Sequence, residues 1–142
     1  MKPVRGFRDA SRQMGRQTLR VASALTGHAA LGAYSADVEA DRAPGHHAVA
    51  LGMAGAVFGW SAVDTATAFL YGATALLVGA ALRLLPMGQV EGQRLLFAMH
   101  GPIARLAHEA AARPADAMWS FAPGLDIQGC RHAALGARLF RS

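Results

Sequence analysis

The side chains of this sequence best suited to hold a metal ion are six histidines and one cysteine, Cys130. A closed tetrahedral site needs several such ligands converging on one point. His46 and His47 are neighbours, so on a helix their side chains diverge by about 100° and do not chelate one ion together. Cys130 and His132 could supply two ligands, but nothing close in sequence completes the set. His100 and His108 share a helical face only if Pro102, between them, does not rotate one past the other. For each of these residues a structural or surface role outweighs ligation. No Ser-His-Asp arrangement, His-Glu-x-x-His pair or phosphate-cradling glycine loop appears. The acidic residues are scattered singly, which leaves a paired-carboxylate mechanism without a home. These residues read as those of a binding protein, with no catalytic and no metal-ligating set.

The C-terminus carries a different kind of chemistry. Arg138-Leu139-Phe140-Arg141-Ser142 follows Arg131-His132 and sets two apolar side chains between guanidiniums. Terminal residues usually fray, so a Leu-Phe pair at this position points to something that covers it. Aromatic and arginine side chains are enriched at protein interfaces and their hot spots. Arg131, His132, Arg138, Leu139, Phe140, Arg141 and Ser142 are therefore the candidate partner-binding residues. The competing reading is a tail tucked onto its own core.

The elements that must position these groups are helical. Arg8, Arg12, Arg16 and Arg20 recur every fourth residue and make one basic stripe. Phe7, Met14, Val21 and Leu25 mark a separate apolar face, so an amphipathic helix is expected from about Gly6 to Leu25, stopped at Gly27-His28. The stretch from Ala33 to Gly45, with Asp37, Glu39 and Asp41, reads as loop. A helix is expected from His46 to about Phe58. Ser61-x-x-Asp64 resembles a capping box opening a long helix through Leu85, ended by Pro86 and Gly88. A further helix runs from Gln89 towards Arg113 with a break at Gly101-Pro102. A short helical piece is expected from Asp116 to Phe121, then an irregular or briefly helical tail. The chain reads as all-α: a helical domain over 1–122 and a C-terminal tail over 123–142.

Composition bounds the function classes. The chain is 53% hydrophobic, but much of that is Ala and Gly, which bury little area each. Its single Cys rules out an internal disulfide, and its first twenty residues are basic and polar, unlike a secretory signal. The default setting is therefore cytoplasmic. The net charge of +5 predicts attraction to acidic surfaces. The arginine stripe lacks interleaved aromatics, which argues against nucleic-acid binding. A membrane helical hairpin is the alternative reading: Thr65–Leu82 and Ala48–Val63 are charge-free, and Gly55-x-x-x-Gly59 could pack two such helices. Ala and Gly insert weakly, and both runs sit at or below the length of a span. A tightly packed helical bundle is preferred.

The remaining motifs resemble one family. Leu85-Pro86-Met87-Gly88-Gln89 followed by Gln93 resembles the Pro-Leu/Met-Gly-Gln…Gln segment of the UreF family of urease accessory proteins. His46-His47-Ala48-Val49-Ala50-Leu51-Gly52 resembles the His-rich helix start that precedes it there. Met14-Gly15-Arg16-Gln17 with Leu19-Arg20-Val21-Ala22 is similar to the arginine-bearing helix before that. Leu125-Asp126-Ile127, Arg131-His132 and Arg138–Ser142 are similar to the C-terminal signature, the most specific of the four. Two departures stand out. The family begins with a further N-terminal stretch that this sequence starts after, so a helical bundle of the UreF type, truncated at its N-terminus, is expected to expose apolar faces. Ala133 stands where the family commonly has Glu after the His.

The resemblance implies an all-helical, non-enzymatic, dimer-forming chaperone. Such proteins bridge the accessory protein UreD, also called UreH, and the GTPase UreG, and influence its GTP turnover. The assembly delivers nickel to apo-urease; no cofactor is bound by the chain directly. Within that role the tail docks on the UreD-type partner. His46, His47, Pro86, Gly88, Gln89 and Gln93 are assigned to a GTPase-facing or dimer surface.

Overall fold

A computed structural model describes residues 4–119 and 121–134. These form seven α-helices and one 3₁₀ turn, with no strand among the described residues. The chain divides into two compact units, Met1–Val57 with Met118–Ser142, and Phe58–Ala117.

The first unit is built on α1 (Arg5–Thr26), α2 (Ala29–Glu39), α3 (His47–Val57) and α7 (Pro123–Ala133). Helix α1 stops where expected. Gly27 takes the left-handed conformation (φ 60°) and its N–H donates to the Ser23 carbonyl. His28 then caps α2, its Nδ1 accepting the Ala30 N–H at 3.3 Å.

Two expectations change in this unit. The buried stripe of α1 is Ser11, Gly15, Leu19 and Ala22, whereas Met14, Val21 and Leu25 are exposed. Small residues won the core face because α3 approaches closely: a Cβ on Gly15 would overlap the Gly45 carbonyl oxygen and lie 2.9 Å from the His47 nitrogen. The second change is α2, which occupies much of the stretch read as loop. Leu31 and Val38, two turns apart, face the core with Leu19, Ala22, Ala50 and Ala54. The acidic residues that suggested a loop lie elsewhere: Asp37 pairs with Arg42 at 2.7 Å, Asp41 pairs with Arg12 at 2.9 Å, and Glu39 is exposed. Only residues 40–46 are irregular, with Asp41 at φ 57° and Gly45 at φ 63° against Val38.

The second unit contains α4 (Ala62–Leu84), α5 (Gln89–Ala98) and α6 (His100–Ala111), then a 3₁₀ turn at Ala115–Ala117. The capping box is present: Ser61 Oγ accepts the Asp64 N–H at 3.0 Å, and the Asp64 carboxylate accepts the Ser61 N–H at 3.2 Å. Leu85 is extended before Pro86, and Gly88 caps α5. Gly92 lets α5 settle on Leu82 of α4. The expected break falls earlier than Gly101-Pro102, at Met99. A proline ring clashes with the carbonyl four residues before it, which for Pro102 is Ala98, the last residue of α5. Of the helical piece expected over 116–121, residues 116 and 117 lie in the 3₁₀ turn, and the described residues 118, 119 and 121 are not helical.

Candidate partner-binding surfaces

Residues read from sequence as a GTPase-facing or dimer surface fall in different units. In the first, His46 and His47 are half-buried at the start of α3. The His47 backbone N–H donates to Ser11 Oγ at 3.4 Å. Thr18 Oγ1 lies 3.0 Å from the Met14 carbonyl oxygen, to which it donates, and 3.2 Å from His47 Nδ1, a hydrogen bond whose direction follows the imidazole tautomer. Arg12 donates to the Pro44 carbonyl at 3.1 Å just ahead of this. His47 thus helps seat the α3 start on α1.

In the second unit, Pro86, Gly88, Gln89 and Gln93 are all exposed. Gln93 lines an open hollow of about 480 Å³ with Tyr71, Val90, Arg94, Phe97 and His100. The imidazole of His100 stands 5.2 Å from the Phe97 ring and 6.1 Å from that of Tyr71. A second shallow groove of about 370 Å³, floored by Ile103, runs along the other side of Tyr71 and His100. Apolar rings with an amide and a guanidinium at the rim suit an inserted apolar side chain held by edge hydrogen bonds.

Cys130 and Arg131 are exposed on α7 and His132 is half-buried. Gly129 holds this helix against α1, where a Cβ would lie 2.8 Å from Phe7 Cζ and 3.1 Å from Val4 Cγ1. Arg138, Leu139, Phe140, Arg141 and Ser142 lie outside the described residues. Among the described residues no three His, Cys, Asp or Glu side chains gather as a metal site.

Sequence reasoning missed the largest open apolar groups. Phe97, Trp119 and Phe121 are 73%, 75% and 80% exposed. Helix α4 has only Val78 buried in 23 residues. A signal existed for part of this: Met118, Trp119 and Phe121 sit between Pro114 and Pro123 with no helical period to bury them.

A sequence model of the UreF family matches residues 1–100. Proteins named urease accessory protein UreF are similar over longer or shorter stretches. That of Paenarthrobacter aurescens is 33% identical over 139 residues, 98% of this chain and 62% of the relative. That of Cereibacter sphaeroides is 39% identical over 94 residues, 66% of this chain and 45% of the relative. That of Ralstonia pickettii is 38% identical over 82 residues, 56% of this chain and 36% of the relative. The chain thus spans at most 62% of the length of these relatives. No solved structure matches. The family match covers well over half of the sequence, and the chain belongs to the UreF family of urease accessory proteins.

Proposed function

We propose that this chain is a non-catalytic scaffold of urease maturation, acting in the cytoplasm. It joins a UreD-type (UreH-type) accessory protein to the GTPase UreG, dimerises within that assembly and influences GTP turnover. The assembly inserts nickel into apo-urease, with nickel as its cargo and no cofactor held by this chain. The observation that carries this reading is the exposure of large apolar side chains in each unit: Tyr71, Val90 and Phe97 in the second, and Trp119 and Phe121 in the first. Exposed apolar patches of size mark interaction sites, and buried aromatic anchors carry most interface energy. The relatives' name, urease accessory protein, supplies the context for partners.

In this scheme residues 1–122 are the helical body and 123–142 the docking tail. Leu139 and Phe140 enter an apolar groove of the UreD-type partner, while Arg138 and Arg141 pair with acids at its rim. Arg131 and His132 on α7 lead into that contact, which ends at Ser142. The Pro86–Gln93 turn and the His46-His47 region serve the GTPase-facing or dimer contacts. Co-expression with the UreD-type protein, followed by size-exclusion chromatography, tests this beside a chain ending at Gly136. Co-elution that disappears on truncation supports the tail as a docking element. Retained co-elution removes the tail from the scheme, and no complex with either version refutes the scaffold reading for this chain.

One observation favours the membrane alternative. Helix α4 is long and apolar enough to cross a bilayer, with a mean hydropathy of 1.6 in its most apolar window. The hairpin's other arm does not keep pace, because α3 has 11 residues where a span needs about 20. In that reading the chain pellets with vesicles and only detergent releases it.

A further inference from the structure

Charge is unevenly shared between the two units. Ten basic and five acidic side chains fall in the first unit and four of each in the second, so the whole net charge of +5 belongs to the first. Several of its guanidiniums are already matched. Arg5 lies 3.6 Å from Asp9, Arg12 2.9 Å from Asp41 and Arg42 2.7 Å from Asp37. Arg16 and Arg20 differ: both are exposed, and among the described residues neither has an ion-pair partner.

These two arginines form one wall of a groove of about 330 Å³ between α1 and α2, next to Gln13 and Gln17. The opposite wall is Ser35 and Glu39, and the floor is the buried pair Leu19 and Val38. Residues four apart on a helix are about 6 Å apart along its axis. Gln13, Arg16, Gln17 and Arg20 therefore make a ladder of hydrogen-bond donors about two turns long. A second helix with carboxylates at the same spacing meets both guanidiniums at once, in charge-assisted contacts. A uniform polyanion fits less well, because the exposed Glu39 on the far wall repels it.

We propose that this groove docks an acidic helical segment of a protein partner. Its carboxylates, four residues apart, pair with Arg16 and Arg20, and its other flank brings a basic side chain to Glu39. The groove shares no lining residue with the hollow beside Tyr71.

The test uses the full chain and two fluorescent probes read by anisotropy. One is a helical peptide with Glu at four-residue spacing on one face and Lys on the other. The second is a single-stranded DNA oligonucleotide with as many phosphates as the peptide has Glu. Arg16→Gln/Arg20→Gln is expected to weaken the peptide about tenfold. Arg5→Gln/Arg42→Gln removes the same charge elsewhere in the unit and is expected to change it less than about threefold. Glu39→Gln should weaken the peptide and strengthen the DNA. Gln13→Glu/Gln17→Glu repeats the test without touching either arginine, and circular dichroism separates lost binding from lost helix. Equal losses from the two arginine pairs, tighter binding of DNA than of peptide, or no peptide binding would each overturn the proposal.

Discussion

Replacing Gly15 by alanine puts a methyl group where another stretch of backbone already runs. The new Cβ would overlap the Gly45 carbonyl oxygen and stand 2.9 Å from both the His46 carbonyl carbon and the His47 nitrogen. No side-chain rotation relieves this, so α1 and the start of α3 must separate, by a distance on the order of 1 Å. Separation stretches the Ser11, Thr18 and Arg12 contacts that seat the α3 start on α1. Overpacking of this kind costs about 1–3 kcal/mol, and those weakened hydrogen bonds push the cost towards the upper end. Alanine returns about 1 kcal/mol through its better helix propensity. The expected net loss is about 2 kcal/mol, or a melting temperature lower by about 8 °C for a chain of this size. Gly32 provides the contrast. It lies inside α2, and nothing stands within 4 Å of a Cβ built there. Gly32→Ala should therefore stabilise by up to about 1 kcal/mol. Thermal and urea unfolding followed by far-ultraviolet circular dichroism reads both. If the two substitutions move stability in the same direction, the close approach of α1 to residues 45–47 is not what holds the first unit together.

Three further outcomes are expected. Ser61→Ala removes the hydroxyl that caps α4 and should cost about 1 kcal/mol by urea unfolding at neutral pH. Hydrogen bonds from the Ser61 hydroxyl and backbone N–H hold the Asp64 carboxyl below its ordinary 3.8. That stabilisation is present above the unfolded value and lost as pH falls through the lower folded one, so Ser61→Ala should flatten the wild-type loss of stability below about pH 4. Arg12→Met keeps the aliphatic stem but loses Asp41 and the Pro44 carbonyl. It should cost about 1 kcal/mol, and a double-mutant cycle with Asp41→Asn should be non-additive. Leu139→Ala/Phe140→Ala should leave the melting temperature unchanged while removing co-elution with the UreD-type protein; a lowered melting temperature would instead mean that the tail packs on its own core.

Helix ends were the most legible feature of this sequence, because local chemistry sets them. Gly27 supplies the left-handed residue α1 needs, Ser61 and Asp64 satisfy each other's amides, and Pro86 with Gly88 separates α4 from α5. Pro102 was legible as a breaker, but its effect falls four residues upstream, where its ring would meet a carbonyl. Faces were harder to read. On α1 the larger apolar residues Met14, Val21 and Leu25 point outward, and the smaller Ser11, Gly15 and Ala22 go in with Leu19. Hydrophobicity alone ranks these the other way round; close backbone contact with residues 45–47 decides it, and that contact is non-local. Helix α2 was obscured for a related reason. Its acids looked like loop until Asp37 and the neighbouring Asp41 acquired arginine partners distant in sequence or beyond the helix end. Of the candidate site, the histidine pair and the Pro86–Gln93 turn were visible as motifs. The hollow that gathers Gln93 with Tyr71 and His100 was not, since it needs α4, α5 and α6 side by side.

Hydropathy cannot distinguish lipid from protein as the cover for α4, but the second unit's own geometry can. Tyr71 stands near the middle of the 23-residue helix, and Gln93, Arg94 and His100 line the same hollow beside it. Were α4 to span a bilayer with its neighbours in place, Arg94 and Gln93 would be carried towards the hydrocarbon centre. An arginine there costs at least about 2.5–3.5 kcal/mol, and the exposed Gln93 amide adds a further penalty. The apolar faces of Tyr71, Val90 and Phe97 favour leaving water, while Arg94 and Gln93 resist leaving a polar environment. A protein surface with an apolar anchor at its centre and acceptors at its rim satisfies both demands, and acyl chains satisfy only the first. The open face of α4 is therefore read as the seat of a protein contact.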